Sequence, residues 1–376
     1  MALPGRKLDA APTEPISIQA MSTALLTGYP GFIGSRLATK LLADDKKLRV
    51  IAIVEERMLE AAREAAAEAG DRLEVIAGDI GERGLGLAAE DLDRVLAEVE
   101  LVFHLAAIYD LAVPLEIAQR VNVDGTGNIL ELCLSAKRLK RLAYVSTAYV
   151  SGRRTGKVYE HELVMGQQFK NHYESTKFQA EAWVRELMDQ VPTTILRPAI
   201  VVGDSQTGET QKFDGPYFML RAIAEAESRG QPLVNFGRAG APFNVVPVDF
   251  IVDAIATAAY DPLAVGETLH LVDPDPLSAS QLAETLSLEY AGRPPRGRVP
   301  ASTVAAALRL NAVRKRFGGT PRESVIYLNH PVSYDTRRAV AILEPHGLRP
   351  PLFNSYVGPM VKFFKAHEND PAFART

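Results

Sequence analysis

The stretch Thr27-Gly28-Tyr29-Pro30-Gly31-Phe32-Ile33-Gly34 constrains this chain more than any other. It lies between a short apolar run, Thr23 to Thr27, and a segment predicted to be helical from about Phe32 to Leu42. Glycines at Gly28 and Gly31 let a backbone turn tightly and approach a pyrophosphate, whose charge is favoured at a helix N-terminus. Gly34 lets the helix pack closely on a sheet. A glycine triplet alone is a weak signal; at the first strand-to-helix junction of an α/β chain it gains weight.

The rest of the chain supplies that setting. Leu48 to Val54 reads as a second strand, apolar throughout as a strand buried on both faces must be. A helix from Met58 to Ala69, a strand from Leu73 to Ile76, a helix from Asp91 to Ala97 and a strand from Leu101 to Leu105 follow. A helix from about Leu115 to Ala136 precedes a strand at Arg141 to Val145. A long helix opens near Tyr173 and runs to about Asp189, before a strand from Thr193 to Leu196 stopped by Arg197-Pro198. This alternation predicts an α/β fold, a doubly wound parallel sheet of Rossmann type with right-handed crossovers. After Val202 the rhythm breaks into a polar loop (Gly203 to Gly215), helices at Pro216–Ser228, Gln281–Tyr290 and Ala301–Arg314, and short strands at Asn244–Val248 and Thr268–Val272. The expected organisation is a disordered tail over 1–22, a dinucleotide-binding domain over 23–202, and a smaller, mainly substrate-binding lobe over 203–376 with some segments returning to the first domain.

Composition excludes several classes. Across 376 residues, a formal net charge of -4 provides no basic field for nucleic acid. The single cysteine, Cys133, permits no internal disulfide, which fits a reducing cytoplasm. No run approaches the roughly 20 apolar residues of a membrane span. The first twenty residues carry Pro4, Pro12 and Pro15 and lack the apolar core of a signal peptide, and Met21 is an alternative start.

Two features mark a reactive end. Tyr173 and Lys177, in Tyr-Glu-Ser-Thr-Lys, share one face of a predicted helix with Cβ atoms about 5–6 Å apart. A free tyrosine titrates near about 10; a neighbouring ammonium stabilises its phenolate and lowers that value. The lysine can also donate to ribose hydroxyls. Ser146 and Thr147 place hydroxyls at the end of the Arg141–Val145 strand. At the cofactor end, the second strand runs into Glu55-Glu56-Arg57. Glu55 is placed to accept from an adenosine ribose, which favours NAD, whereas Arg57 would favour NADP. Asp79 and Ile80 follow the third strand, where Asp79 can accept from an adenine amino group or cap the next turn. Leu105, Ala106 and Ala107 offer close backbone approach after the fourth.

In order, Thr-Gly-x-x-Gly-x-x-Gly, His104-Leu105-Ala106-Ala107, Asn122-Val123-Asp124-Gly125-Thr126, Ser146-Thr147, Tyr-x-x-x-Lys and Arg197-Pro198 resemble the extended short-chain dehydrogenase/reductase superfamily over roughly residues 23 to 260. Val145-Ser146-Thr147-Ala148-Tyr149-Val150-Ser151-Gly152 and Gly203-Asp204-Ser205-x-Thr207-Gly208 are similar to its male-sterility or thioester-reductase-like branch. The resemblance implies that Tyr173 and Lys177 are catalytic and that Thr147 binds the substrate oxygen, with Ser146 the competing residue. It also implies that Asn122 supports the active-site helix or a proton relay, that Pro198 lies against the nicotinamide, and that long helices pair in a homodimer.

The expected activity is hydride transfer between NAD(P) and a ketone or secondary alcohol of a bulky hydrophobic metabolite: a lipid, steroid, polyketide or prenylated aromatic. Reduction of a fatty acyl thioester is the alternative, and a non-catalytic NAD(P)-binding sensor or scaffold the alternative of another class. The aromatic segment Phe213 to Leu220, with Tyr109, Phe213, Tyr217 and Phe218 as pocket residues and Phe236 and Phe243 beside them, carries the hydrophobic reading. A nucleotide sugar would call for an arginine cluster that is not apparent. The loop Asp204 to Lys212 is expected to act as a lid, and the final helix, Val357 to His367, to dock on the domain.

Overall fold

Seven parallel strands in one sheet form the centre of the computed structural model, which describes residues 22–109, 113–236, 240–299, 301–307, 309–310 and 322–373. Expectations placed on residues 1–21, on 308 and 311–314, and on the Phe236 side chain lie outside the described residues. The strands are β1 (Thr23–Thr27), β2 (Arg49–Val54), β3 (Leu73–Ala77), β4 (Val99–His104), β5 (Arg141–Val145), β6 (Thr193–Pro198) and β7 (Thr268–Leu271), in the spatial order β7-β6-β5-β4-β1-β2-β3. Leu25 and Leu26, on opposite faces of β1, are both fully buried, as expected of a strand covered on both sides. Chain order reverses between β1 and β4, so a crevice opens at their carboxyl ends, where Thr27 stands opposite Ile53 on one side and His104 on the other.

Helices α1 (Phe32–Asp44), α2 (Leu59–Ala66), α3 (Ala89–Glu98), α4 (Leu115–Ala118), α5 (Gly125–Ser135) and α6 (His172–Glu186) belong to this half. Where one helix was expected from Leu115 to Ala136, a π-helical segment, Gln119–Asp124, separates α4 from α5. It carries Asn122, which bonds across to Ile108; such bulges recur at functional sites. Cys133 is buried in α5, and burial pushes its thiol up to about 12.

β6 continues through Arg197 and Pro198 instead of stopping before them. Arg197 is tolerated in a buried strand because a carboxylate meets it from α6.

The remaining helices are α7 (Tyr217–Ser228), α8 (Val248–Tyr260), α9 (Ala279–Ala291), α10 (Ala301–Ala307), α11 (Arg337–Leu343) and α12 (Phe353–His367). Sequence reasoning passed over α8. It is apolar except for a narrow stripe of Asp249, Asp253 and Thr257, and its wide apolar face packs with α1 and β5 in the sheet's own core. α7, α9 and α12 instead enclose a second core containing Leu220, Leu282, Leu286, Tyr356 and Phe364. The cleft between this second core and the sheet's carboxyl edge holds the site.

Candidate active site

A continuous cavity of about 870 Å³ runs from the glycine turn to the second core, within the roughly 300–1,000 Å³ usual for ligand pockets. The Gly28–Gly34 turn, Glu55, Arg57, Ile80, Leu105, Ala106 and Ala107 line one end. Ser146, Thr147, Tyr173, Lys177 and Pro198 line its middle, and Tyr109 and Phe218 its far part.

The glycine turn is shaped by close approach. Gly28 has φ +88°, and a Cβ there would lie 3.0 Å from the Ala106 nitrogen. A Cβ on Gly34 would fall 2.4 Å from the Gly28 carbonyl oxygen. The α1 N-terminus has no side-chain cap, so its first N–H groups are left to an anion in the cavity.

His104 holds β1 and β4 together below this turn. Its Nδ1 lies 2.8 Å from Thr27 Oγ1 and its Nε2 3.0 Å from Thr126 Oγ1. Thr126 already donates to the Asn122 carbonyl, so the histidine proton sits on Nε2 and Thr27 donates to Nδ1. Thr27 Oγ1 is thereby free to accept the Leu105 and Ala106 N–H groups. Burial, with the Lys177 charge adding, pushes His104 down to about 3, so it is neutral.

Glu55 Oε2 pairs with Arg57 Nε at 2.5 Å at the cavity's edge, where both side chains are well exposed. Asp79 does not itself line the cavity, though Gly78 and Ile80 on either side of it do; its Oδ1 accepts the Gly81 N–H at 2.8 Å and its Oδ2 meets Arg120 at 2.5 Å. It caps its own turn. Asn122 is likewise outside the cavity lining: its Oδ1 accepts the Ile108 N–H, and its Nδ2 donates to Ile108 O and Thr176 Oγ1. One amide thus ties the loop after β4 to α6.

Asn171 caps α6, accepting the Glu174 N–H at 3.0 Å, and the helix presents Tyr173 to the cavity and buries Lys177 and Glu181 one and two turns on. The two hydroxyls after β5 divide, as alternating side chains do. The Thr147 hydroxyl accepts the Tyr149 N–H at 3.3 Å and lies close enough to the Tyr173 phenol to draw its pKa down. Ser146 donates to Glu181 Oε2 at 2.6 Å. Glu181 in turn holds Arg197 through Nε at 3.0 Å and Nη2 at 2.6 Å, both residues being buried. Burial pushes the Glu181 carboxyl up, but Arg197, with Arg185 and the Ser146 hydrogen bond, outweighs it and the net shift is downward.

Lys177 Nζ donates to the Val145 carbonyl at 2.8 Å and sits 4.5 Å from the Tyr144 ring centroid. Burial pushes it down to about 7, against the pull of Glu181. Tyr173 departs from expectation in direction. Burial lifts it to about 12, offset in part by the neighbouring Thr147 hydroxyl and reinforced by Glu174; Lys177 is not among the groups that move it. The phenol is a protonated donor at neutral pH.

The far wall also differs. Phe218, Met219 and Ala222 of α7 line the cavity, with Phe243, Tyr149 and Tyr327. Phe213 and Tyr217 do not. Phe213 stacks on Phe373 at 4.5 Å and meets Phe364 at 4.9 Å, and the Tyr217 hydroxyl accepts the Gly203 N–H at 3.1 Å. Both belong to the second core. Tyr109 stands at the mouth with Lys212 Nζ 5.0 Å from its ring centroid. The expected lid is braced through most of its length. Asp204 Oδ1 accepts the Gln206 and Thr207 N–H groups, Ser205 Oγ donates to Asp249 at 2.5 Å, and Gly208 packs on the Pro359 carbonyl. Only Thr210, Gln211 and Lys212 of this loop reach the cavity.

Residues 26–255 match the family model described as male sterility protein, an NAD-binding domain. The chain belongs to this family. The family is an NAD-binding one, and membership makes this chain an NAD(P)-dependent enzyme of the extended short-chain dehydrogenase/reductase type. Similar proteins include the carboxylic acid reductase of Segniliparus rugosus, 28% identical over 291 residues that cover 68% of this chain and 24% of the relative. Another is the fatty acyl-CoA reductase wat of Drosophila melanogaster, 29% identical over 218 residues, covering 50% of this chain and 41% of the relative. The chain therefore spans less than half the length of either relative. Among solved structures, the terminal R domain from the myxalamid PKS-NRPS biosynthetic pathway superposes with a TM-score of 0.77 at 26% identity, covering 94% of this chain and 92% of that one. The UDP-glucuronic acid 4-epimerase of Bacillus cereus in complex with NAD, at 19% identity and a TM-score of 0.64, shares the fold. Among the described residues, no helix is long and apolar enough to cross a membrane.

Proposed function

We propose that this chain reduces an acyl thioester carrying an apolar chain, releasing an aldehyde and a thiol. The observation that carries the reading is a protonated Tyr173, beside Thr147, facing one cavity whose far part is walled by Phe218, Met219, Ala222 and Phe243. The named relatives are reductases of carboxylic acids and acyl-CoA, which favours this over the ketone or secondary-alcohol reading. Both readings use the same hydroxyl pair.

The residues present fit a nicotinamide dinucleotide: the uncapped α1 N-terminus for its pyrophosphate, Glu55 and Arg57 for its adenosine ribose, Lys177 and Pro198 toward its nicotinamide end. When bound it supplies the hydride. Thr147 and Tyr173 hold the thioester carbonyl oxygen and stabilise the negative charge that develops there. Tyr173 gives that oxygen its proton, a role its high pKa suits. Collapse of the resulting hemithioacetal breaks the C–S bond; the hydroxyl proton leaves with the sulfur, giving aldehyde and thiol. Lys177, held on the Val145 carbonyl, would donate to the ribose hydroxyls at the nicotinamide end. Ser146 and Asn122 act as positioning residues through Glu181 and Thr176. The Glu55 carboxylate favours NAD over NADP.

The test is trapping of the aldehyde as its oxime from a decanoyl thioester with either cofactor. Wild type yields the oxime; Tyr173→Phe retains dinucleotide binding and loses about 10²–10⁴ in turnover, the worth of a positioned proton donor. An active Tyr173→Phe variant would sink the mechanism. Ketone turnover with no oxime from thioesters would instead establish the second reading.

A further inference from the structure

Tyr327 lies on the 3₁₀ segment Arg322–Asn329, far along the chain from the catalytic helix, yet it reaches that helix with one atom. Its hydroxyl donates to Glu174 Oε1 at 2.7 Å and accepts from Asn171 Nδ2 at 2.9 Å. Asn171 is the N-cap of α6 and Glu174 lies in its first turn, on either side of Tyr173. Glu174 is fully buried and also receives Lys170 Nζ at 3.1 Å and the Lys170 N–H at 2.9 Å. The Lys170 ammonium donates in addition to the Gly152 carbonyl. The carboxylate is thus matched by a cation and a phenol, both taken out of water, so each partner is costly to remove.

The ring of Tyr327 does something else. It lines the cavity beside Leu328 and meets the Tyr149 ring edge-on at 5.0 Å and 82°. Tyr149 lines the same wall. One side chain therefore has a polar end on the turn that carries Tyr173 and an apolar face on the space for substrate.

We propose that Tyr327 is a positioning and specificity residue: its hydroxyl fixes the first turn of α6, and with it Tyr173, while its ring forms the wall against which the substrate's acyl chain packs. The second half rests on the acyl-thioester reading above; the first does not. The two halves reside on different atoms and separate by substitution.

The experiment compares the full chain as wild type, Tyr327→Phe and Tyr327→Ala, by hydrogen-exchange mass spectrometry and by steady-state kinetics with acetyl and decanoyl thioesters. Losing a hydrogen bond to a buried charge is worth about tenfold or more. In Tyr327→Phe, peptides covering residues 171–177 exchange about tenfold faster while the β1–α1 peptides stay unchanged. The same variant loses about tenfold in kcat at an unaltered KM for both thioesters. Tyr327→Ala adds a rise in KM of about tenfold for the decanoyl thioester and none for the acetyl. Wild-type exchange over 171–177 in Tyr327→Phe overturns the positioning claim, as does faster exchange spread through the whole lobe, the mark of simple docking. Equal KM values in the two variants overturn the specificity claim. If wild type turns over no thioester, the functional reading fails, and the exchange arm still decides the positioning claim.

Discussion

Ser146 and Thr147 are neighbours that both line the cavity, and the structure gives their hydroxyls separable roles. Thr147→Val removes the hydroxyl that accepts the Tyr149 N–H and lies beside the Tyr173 phenol, and keeps the shape of the side chain. If that hydroxyl also holds the substrate oxygen, its loss resembles the loss of one oxyanion donor, about 10²–10³ in kcat. Its cost to folding is that of one neutral hydrogen bond, about 0.5–1.5 kcal/mol. Ser146→Ala does the reverse. It deletes a buried 2.6 Å bond to an ionised carboxylate, of a class worth about 1.5–3 kcal/mol. Glu181 keeps Arg197 and Arg185, so the lower end of that range applies. Turnover should then stay within a few-fold of wild type. The assay is kcat/KM alongside urea unfolding of both variants. A hundredfold loss in Ser146→Ala with an unchanged unfolding midpoint, and an active Thr147→Val, would refute the division.

Three other outcomes follow from the same geometry. Burial holds Lys177 at about 7, below the ordinary lysine value, so its ammonium is present below that pH and is lost as pH rises through it. If the charge assists Tyr173, kcat/KM, which reports the free enzyme, falls as pH rises through about 7, and a profile flat to about pH 9 contradicts it. Ala222 of α7 lines the far wall, so Ala222→Trp should raise KM for the decanoyl thioester about tenfold or more while leaving dinucleotide affinity unchanged; equal KM values would move the substrate elsewhere in the cavity. Glu55→Gln removes the carboxylate that pairs with Arg57 and should shift the NADH-to-NADPH affinity ratio about tenfold toward NADPH, read by fluorescence titration; an unshifted ratio takes Glu55 out of the ribose site.

The sheet was legible because it is local: each strand of a doubly wound fold is an apolar run set off by a helix, and β1 and β5 begin and end where their composition says. The glycine turn, Tyr173 and Lys177 were legible for the same reason, since spacing on one element brings each group together. What escaped reading depends on partners distant in sequence. Tyr217 and Phe218 are adjacent on a helix and point about 100° apart; only the placement of α12 and Phe373 decides that Phe218 faces the cavity and Tyr217 the core. Asp79 reads from sequence as a cofactor contact in preference to a turn cap, and the Arg120 that meets it lies 41 residues away along the chain. Glu181 had a usable signal, the i, i+4, i+8 stripe from Tyr173 through Lys177, but its partner Arg197 comes from β6. Tyr327 had none. Tyr173 shifts the other way because burial, invisible in sequence, raises it, while the lysine expected to lower it is engaged with the Val145 carbonyl.

The most direct test of the account is to follow nicotinamide absorbance and free thiol together while the purified chain meets NADH or NADPH and a decanoyl thioester. The account predicts one thiol released for each hydride first delivered to the thioester, with neither signal in Tyr173→Phe. Cofactor oxidation by ketones alone, with no thiol appearing from any thioester, would contradict it.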